Sequence, residues 1–129
     1  MAEQNPQGLC SVLEKAQSMN FRSGEICLVN FGDAYGGHRQ IGVRPAIFIS
    51  QTSRIAIVIP LTSNPKALRF GHTVTIRPNE NNQLDRASVA LVFQIQEVDG
   101  SDLMSKIGVL SLSEKRAINK AVREAVYIH

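Results

Sequence analysis

Three polar segments of the chain carry side chains that could bind a phosphate and move a proton. Arg44 stands directly before Pro45, and a guanidinium can meet two phosphate oxygens at once while keeping its charge. Thr62 and Ser63 follow an apolar run, and their hydroxyls could hydrogen-bond a phosphate oxygen. His38 lies in a Gly-rich segment, and an imidazole with an ordinary pKa of about 6.5 suits proton transfer.

Each of these side chains also has a plain structural interpretation. Arg44 could be a solvated residue at the start of a strand, and a loop histidine such as His38 is commonly incidental. Thr62 and Ser63 precede an Asn-Pro pair, which is what a turn requires. Phe70 could stack on a base, although core packing is the commoner use of phenylalanine. Residue type alone leaves both interpretations open.

The distribution of charge is more informative than its total of +3. Residues 38–86 carry seven basic and two acidic side chains, a net charge of +5, whereas residues 1–37 sum to −2 and residues 87–129 balance. A basic central segment attracts a polyanion such as nucleic acid. The alternative is an ordinary solvated surface that is rich in arginine.

Composition indicates a cytoplasmic globular protein without a membrane span. The hydrophobic fraction is 43%, no apolar run reaches about 18 residues, and the first ten residues lack the pattern of a secretory signal. Cys10 and Cys27 give no disulfide framework and are expected to be reduced. Without a CxxC or HExxH pattern, no metal or other cofactor is expected.

Periodicity predicts a mainly β protein with a C-terminal helix. Strands are expected at 24–31, 46–50, 54–61, 72–77 and, as the longest, 88–98, with loops at 33–42 and 78–86. A hairpin is expected to join the second and third strands. Short strands followed by a closing helix favour a small curved sheet or barrel.

Helical spacing occurs in three places. Residues 8–19 predict a short amphipathic helix within an N-terminal extension, 1–22, that precedes the main domain, 23–129. A second short helix is expected from about Ser101 to Lys106, ended by Gly108. Ser111 and Glu114 form a capping box before a helical stripe made of Ile118, Ala121, Val122, Ala125 and Val126.

Three segments, in order, resemble the MazF/PemK/Kid toxin family. GEICLVNF followed by GHRQIGVRPAIFIS is similar to the family's G-E/D-I-x-x-V-x-F strand and G-x-E-Q-x-G-x-R-P loop. IVIPLTS is similar to its strand ending in P-x-T-S, and SVALVFQIQEVDGSDLMSKIGVLS to its S-V-A-L-x-D/E-Q-I motif and the segment after it. Together the three cover roughly residues 23–128.

The resemblance implies an SH3-like small barrel of the plasmid-toxin (MazF/PemK/CcdB) superfamily, paired as a homodimer. It also implies a metal-independent endoribonuclease toxin that cleaves single-stranded RNA, often mRNA, at short specific sequences and is neutralised by a cognate antitoxin. In such a reaction the neighbouring 2′-hydroxyl attacks the phosphorus and leaves a cyclic phosphate. The implied catalytic residues are Arg44, Thr62 and His38, and the implied RNA-binding residues are Ser63, Gln94, Gln40, Arg39 and Phe70.

The chain departs from the family pattern at its acid/base positions. Phe93 stands where the family usually has Asp or Glu, Leu91 stands where the Kid branch has Arg, and Arg39 replaces the usual loop Glu. A phenylalanine cannot transfer a proton. Two alternatives therefore stay open: a catalytically weakened or inactive barrel that binds RNA or another partner, and a CcdB-like gyrase poison.

Overall fold

The computed structural model describes residues 20–32 and 42–127. These residues form seven strands and one helix, joined by turns and three short 3-10 helices. In chain order the elements are β1 (Glu25–Asn30), β2 (Val43–Thr52), β3 (Ile55–Thr62), β4 (Thr73–Ile76), β5 (Ser88–Leu91), β6 (Gln96–Asp99), β7 (Leu103–Val109) and α1 (Leu112–Tyr127).

All strand pairs in the described part are antiparallel. The path through the sheet runs β4-β5-β3-β2-β1-β7, and β6 also pairs with β3. The path does not close on itself, so the molecule is barrel-like rather than a closed barrel. The predicted class, mainly β with a C-terminal helix, is confirmed, as is the hairpin between β2 and β3.

The sheet buries apolar side chains on both faces, as strand alternation requires. One face packs against α1. The core on this side contains Ile26, Ile47, Ile59, Leu61 and Ile76 of the strands and Ile118 and Ala121 of α1, among others. The opposite face contains Cys27, Val29, Ala46, Phe48, Ala56 and Val58, with Phe21, Phe31, Val98 and Leu103 packed against them. Burial raises the pKa of the Cys27 thiol to about 12, so this cysteine is a neutral core residue.

The prediction of one long strand at 88–98 is wrong. The segment breaks at a 3-10 turn, Val92–Gln94, which separates β5 from β6. Both strands pair with the same edge of β3, β6 with Ile55–Val58 and β5 with the end at Leu61 and Thr62. The turn lets the chain pair first with one end of β3 and then with the other. The run of apolar residues through 88–95 is nearly continuous, so the sequence gives no sign of this turn.

The prediction of a helix from Ser101 to Lys106 is also wrong. A 3-10 turn occupies Gly100–Asp102, and β7 follows and pairs with β1. Gly108 does not end a helix; it lies in β7, where an added Cβ would come within 2.3 Å of the backbone oxygen of Asn82. Gly108 is therefore a point of close approach between two backbones.

A buried polar corner joins the 78–86 loop to the start of α1. Asn82 is 0% exposed, and its amide makes hydrogen bonds of 2.8–3.3 Å with the backbone of Arg77, Asn79 and Leu84 and with the Glu114 carboxylate. Glu114 also accepts a 2.8 Å hydrogen bond from the backbone N–H of Ser111, whose hydroxyl accepts from the Glu114 N–H at 3.3 Å. The predicted capping box is confirmed.

The C-terminal helix buries the predicted stripe only in part. Ile118 and Ala121 are buried, Val122 and Ala125 pack against the same core, and Val126 is exposed. The predicted helix at 8–19 lies outside the described residues. Within residues 20–32 and 42–127, no helix has the length and hydrophobicity needed to cross a membrane.

Candidate functional site

Arg44 lies near the start of β2, where the strand is central in the sheet. It pairs with Val29 of β1, and its side chain is half-buried. Pro45, which follows it, restricts Arg44 to extended backbone, and this matches its place in a strand. The guanidinium is therefore carried by a rigid element rather than by a loop.

Thr62 is the last residue of β3, and its hydroxyl has a defined role in the turn that follows. Its Oγ1 accepts a 3.2 Å hydrogen bond from the backbone N–H of Asn64. The Asn64 side chain in turn accepts from the backbone N–H of Lys66 at 3.0 Å and caps the 3-10 turn Pro65–Arg69. Because Oγ1 accepts from the backbone, the hydroxyl hydrogen of Thr62 can donate to a ligand.

The strand register brings Arg44 and Thr62 to the same end of the sheet. β2 and β3 pair with Ala46 opposite Pro60, and the same register continued by two residues places Arg44 level with Thr62. Residues level with each other on antiparallel strands present their side chains to the same face. Two of the predicted catalytic groups therefore share one face and one end of the sheet.

His38, Arg39 and Gln40, in the predicted 33–42 loop, lie outside the described residues, but the residues at both ends of this segment, Gly32 and Gly42, are described. The backbone N–H of Gly42 donates a 2.8 Å hydrogen bond to the carbonyl of Gly32, which closes the loop at its base. Both glycines have a φ of about +70°, a conformation that side chains disfavour. The base of this loop stands two residues from Arg44.

The other two predicted polar RNA-binding residues occupy different settings. Ser63 is exposed and directly follows Thr62. Gln94 is half-buried in the turn between β5 and β6, and its backbone carbonyl accepts from the Gln96 side chain at 3.2 Å. Ser63 thus lies beside the Arg44–Thr62 end, whereas Gln94 lies at the point where β3 changes partners.

Phe70 forms an aromatic pair that the sequence did not indicate. Its ring lies 5.3 Å from the ring of Phe93, centroid to centroid, with the planes tilted by 42°. The guanidinium carbon of Arg69 lies 5.3 Å from the centroid of Phe70. Phe70 is 41% exposed, so the alternative of a core phenylalanine does not apply.

The two positions that the resemblance assigns to Kid-type acid/base residues are apolar here and lie in different settings. Leu91 is buried and packs with Ala67 and Val89. Phe93 is partly exposed and pairs with Phe70. Leu91 is a core residue and Phe93 is part of an exposed aromatic pair, so neither position supplies a group that can transfer a proton.

Glu25 of β1 and Lys106 of β7 form an ion pair that has a structural role. Glu25 accepts a 2.6 Å hydrogen bond from the backbone N–H of Arg22 and pairs with Lys106 at 2.9 Å. Burial acts to raise the pKa of Glu25, but the Lys106 and Arg22 hydrogen bonds together outweigh it and leave the pKa lowered. Among the described residues, no group of three or more His, Cys, Asp or Glu side chains comes together as a metal site.

Solved structures of MazF-type toxins share this fold. A MazF from Deinococcus radiodurans is 21% identical with a TM-score of 0.65, covering 81% of this chain and 94% of that one. The Mycobacterium tuberculosis toxin MazF-mt6 is 20% identical with a TM-score of 0.61, covering 81% and 98%. A mycobacterial endoribonuclease in complex with its cognate antitoxin is 16% identical with a TM-score of 0.63, covering 83% and 95%.

The family itself is shown by sequence. The model of the PemK-like, MazF-like toxins of type II toxin-antitoxin systems matches residues 22–126, most of the chain. The protein belongs to this family, as the motif resemblance predicted. No curated protein sequence matches the chain at a significant level.

Proposed function

We propose that the protein is a metal-independent endoribonuclease toxin that cuts single-stranded RNA at short specific sequences. The strand register supports this proposal most strongly, because continuing it by two residues from the pair Ala46–Pro60 puts Arg44 level with Thr62, and Arg44 is two residues from Gly42 at the end of the predicted His38 loop. Family membership and the similarity to structures described as endoribonucleases support it.

The chemistry that suits these groups is attack by the substrate's own 2′-hydroxyl. The 2′-oxygen bonds to phosphorus as the bond from phosphorus to the 5′-oxygen breaks, giving a 2′,3′-cyclic phosphate and a 5′-hydroxyl end. Arg44 would neutralise the charge that develops on the phosphate oxygens, and Thr62 would donate a hydrogen bond to one of them. His38 would move the proton, either from the 2′-hydroxyl or to the leaving 5′-oxygen.

RNA binding would involve surfaces on both sides of these groups. Ser63 and Phe70 lie on the turn that Thr62 begins, and Gln94 lies in the break between β5 and β6. Arg39 and Gln40 would contribute from the loop between Gly32 and Gly42. Arg44, together with Lys66 and Arg69 of the turn after Thr62, would attract the RNA to this end.

The remaining parts of the proposal concern partners and location. We expect a homodimer, neutralised by a cognate antitoxin that covers the RNA site, acting in the cytoplasm. A structural neighbour described as a MazE-MazF complex from Deinococcus radiodurans, 16% identical with a TM-score of 0.59, supports the antitoxin expectation.

A second candidate function is RNA binding without cleavage. The observation that favours it is the apolar character of the acid/base positions, with Leu91 buried and Phe93 against Phe70. If the His38 loop does not supply proton transfer, the same surface would retain RNA and leave it intact.

The test is to incubate the protein with a long single-stranded RNA in EDTA and to map the ends that form. Discrete cuts with cyclic-phosphate ends are expected, and Arg44→Ala should lower the cleavage rate by about 100- to 1,000-fold, the usual loss of one preorganised charge donor. Arg54→Ala, an exposed arginine in the β2–β3 turn, is the matched control and should cut at the wild-type rate.

Three other outcomes would contradict the proposal in distinct ways. Cutting that requires a divalent metal would overturn metal independence. RNA that is retained but not cut would assign the binding function. RNA that is neither bound nor cut, together with gyrase arrested on DNA, would assign a CcdB-like poison.

A further inference from the structure

An apolar surface patch lies at the turn that follows Thr62. It is formed by the contact between Phe70 and Phe93, and Leu68 and Ile95 are exposed in the same two turns. Leu68 and Phe70 belong to the turn after β3, and Phe93 and Ile95 belong to the turn between β5 and β6. Exposed apolar side chains that contact one another, unlike those scattered singly, are candidates for a binding surface.

The two rings at the centre of the patch are suited to a flat ligand. Phe70 is 41% and Phe93 38% exposed, although the rings are only 5.3 Å apart. Part of each ring therefore stays accessible although the rings contact each other and the Arg69 guanidinium lies over Phe70. A planar, weakly polar ligand that stacks on this surface would be preferred over an aliphatic one.

The position of the pair is fixed by the fold. Ala67, in the middle of the 3-10 turn, packs against Val89 and Leu91 of β5 and so holds the turn on the sheet. Pairing of β4 with β5 places Thr73 opposite Leu91, which brings the end of the turn to the start of the 92–94 break. The rings are therefore a preformed surface rather than a chance contact.

The same turn connects the rings to the phosphate site. Thr62 and Asn64 begin it through their 3.2 Å hydrogen bond, and Phe70 follows its last residue. A five-residue 3-10 turn is on the order of 10 Å long. A ligand that reaches from Thr62 to the rings must therefore present a phosphate and a flat group some distance apart, as a nucleotide strand does.

The charge around the rings indicates that the ligand is anionic. The turn carries Lys66 and Arg69 and no acidic residue, and the Arg69 guanidinium lies 5.3 Å from the centroid of Phe70. A flat aromatic group attached to a phosphate satisfies both the rings and the cations.

We propose that Phe70 and Phe93 form a stacking platform for a nucleobase of single-stranded RNA, with Arg69 beside it for the adjoining phosphate. The inference rests on the proposed function in that RNA is the ligand, and it assigns Phe93, at the family's acid/base position, to base binding. The base that stacks on the platform would belong to a nucleotide farther along the strand than the two that are joined by the phosphate at Arg44 and Thr62.

The test compares the binding of two non-cleavable oligonucleotides with the full-length protein by fluorescence anisotropy. One is a 2′-O-methyl oligoadenylate, and the other is an abasic 2′-O-methyl strand of equal length and charge. Wild type is expected to bind the base-bearing strand about 5- to 150-fold more tightly, the range that one stacked base contributes. Phe70→Leu and Phe93→Leu, which keep an apolar side chain but lose the ring, should each reduce that ratio strongly.

Two controls separate the platform from other effects. Leu112→Ala removes an exposed apolar residue at the start of α1 that belongs to neither turn, and should keep the wild-type ratio. Binding of the abasic strand, which reports phosphate contacts, should be the same in wild type and in both ring variants.

The ratio of the two affinities decides whether the platform exists. An unchanged ratio in both ring variants, or no binding of either strand by wild type, overturns the platform. Ring variants that keep the ratio but dissociate a wild-type dimer in sedimentation would assign the patch to contact between two copies. Because these strands lack the 2′-nucleophile, the ratio is measured whether or not the protein cleaves RNA, so a failure of catalysis is distinguishable from a failure of the platform.

Discussion

Two polar regions of the molecule use their side chains in opposite ways. In the corner around Asn82, the amide and the Glu114 carboxylate hydrogen-bond to nearby backbone and side chains, and Asn82 is 0% exposed. At the Arg44–Thr62 end, both side chains are half-buried, and Ser63, which follows Thr62, is exposed. Polar groups that hold the fold are satisfied by one another, whereas polar groups available for a ligand lie at a surface.

This difference has a thermodynamic consequence. Losing the Asn82 side chain in the corner breaks part-buried hydrogen bonds, a cost to folding. The hydrogen bond that Thr62 accepts from the Asn64 N–H is exposed, so losing it should cost folding less, whereas a ligand of Thr62 would lose a contact. Variants in the corner should therefore change stability, and variants at the site should change activity.

The largest effect on stability is expected from Gly108→Ala. The new Cβ would meet the backbone oxygen of Asn82 at 2.3 Å, and that oxygen belongs to the corner and cannot move without breaking it. The free energy of unfolding should fall by about 3 kcal/mol in urea denaturation. Gly71→Ala, where no atom lies within 4 Å of the new Cβ, should change it little; equal losses in the two variants would contradict the close approach.

A smaller loss is expected from Asn82→Ala. The substitution removes four part-buried hydrogen bonds of a side chain that is itself fully buried, so the free energy of unfolding should fall by about 2 kcal/mol. Asn81→Ala, in the same turn but exposed, is the matched control. RNA cleavage per folded molecule should stay at the wild-type value in both, and a cleavage defect in folded Asn82→Ala would show that the corner and the site are not independent.

The smallest effect concerns the ion pair between Glu25 and Lys106. Because the folded-state pKa of Glu25 is lowered, the pair stabilises the protein above the ordinary pKa of 4.5 and ceases to do so as the pH falls through the folded-state value. Lys106→Met should cost less than about 1 kcal/mol at pH 7, since Lys106 is half-exposed, and less still at pH 3. Lys120→Met, an exposed lysine on α1, should show no such pH dependence; a loss that grows on acidification would contradict the assignment.

Local sequence signals predicted the elements that depend on them. Alternation located β4, and the Ser111–Glu114 spacing located the start of α1, because both signals arise within a few residues. The break at 92–94 and the strand at 103–109 escaped prediction because they follow from pairing with β3 and β1, which are distant in sequence. Gly108 was predicted to end a helix, but glycine is required there because the backbone carbonyl of Asn82 comes close to it.

In the candidate site, too, local sequence signals identified single residues, whereas contacts between distant residues were not predicted. Arg44 and Thr62 were found by type and motif, and the sheet register then related them. The pairing of Phe70 with Phe93 joins residues 23 positions apart and depends on how β4 and β5 align, so no local pattern signals it. The available sequence signal was the presence of an aromatic residue at Phe93, where the family has a carboxylate.

The central claim, that Arg44 and Thr62 act on one phosphodiester, is tested most directly by a double-mutant cycle in single-turnover cleavage of one RNA in EDTA. The variants are Arg44→Ala, Thr62→Val and the two combined, with Thr62→Ser as the control that retains the hydroxyl. Groups that act as a unit on one phosphate lose their effect together, so the account predicts that the combined loss of rate is clearly smaller than the product of the two single losses. Single losses that multiply fully in the double variant would place the two groups at separate points of the RNA and contradict the account.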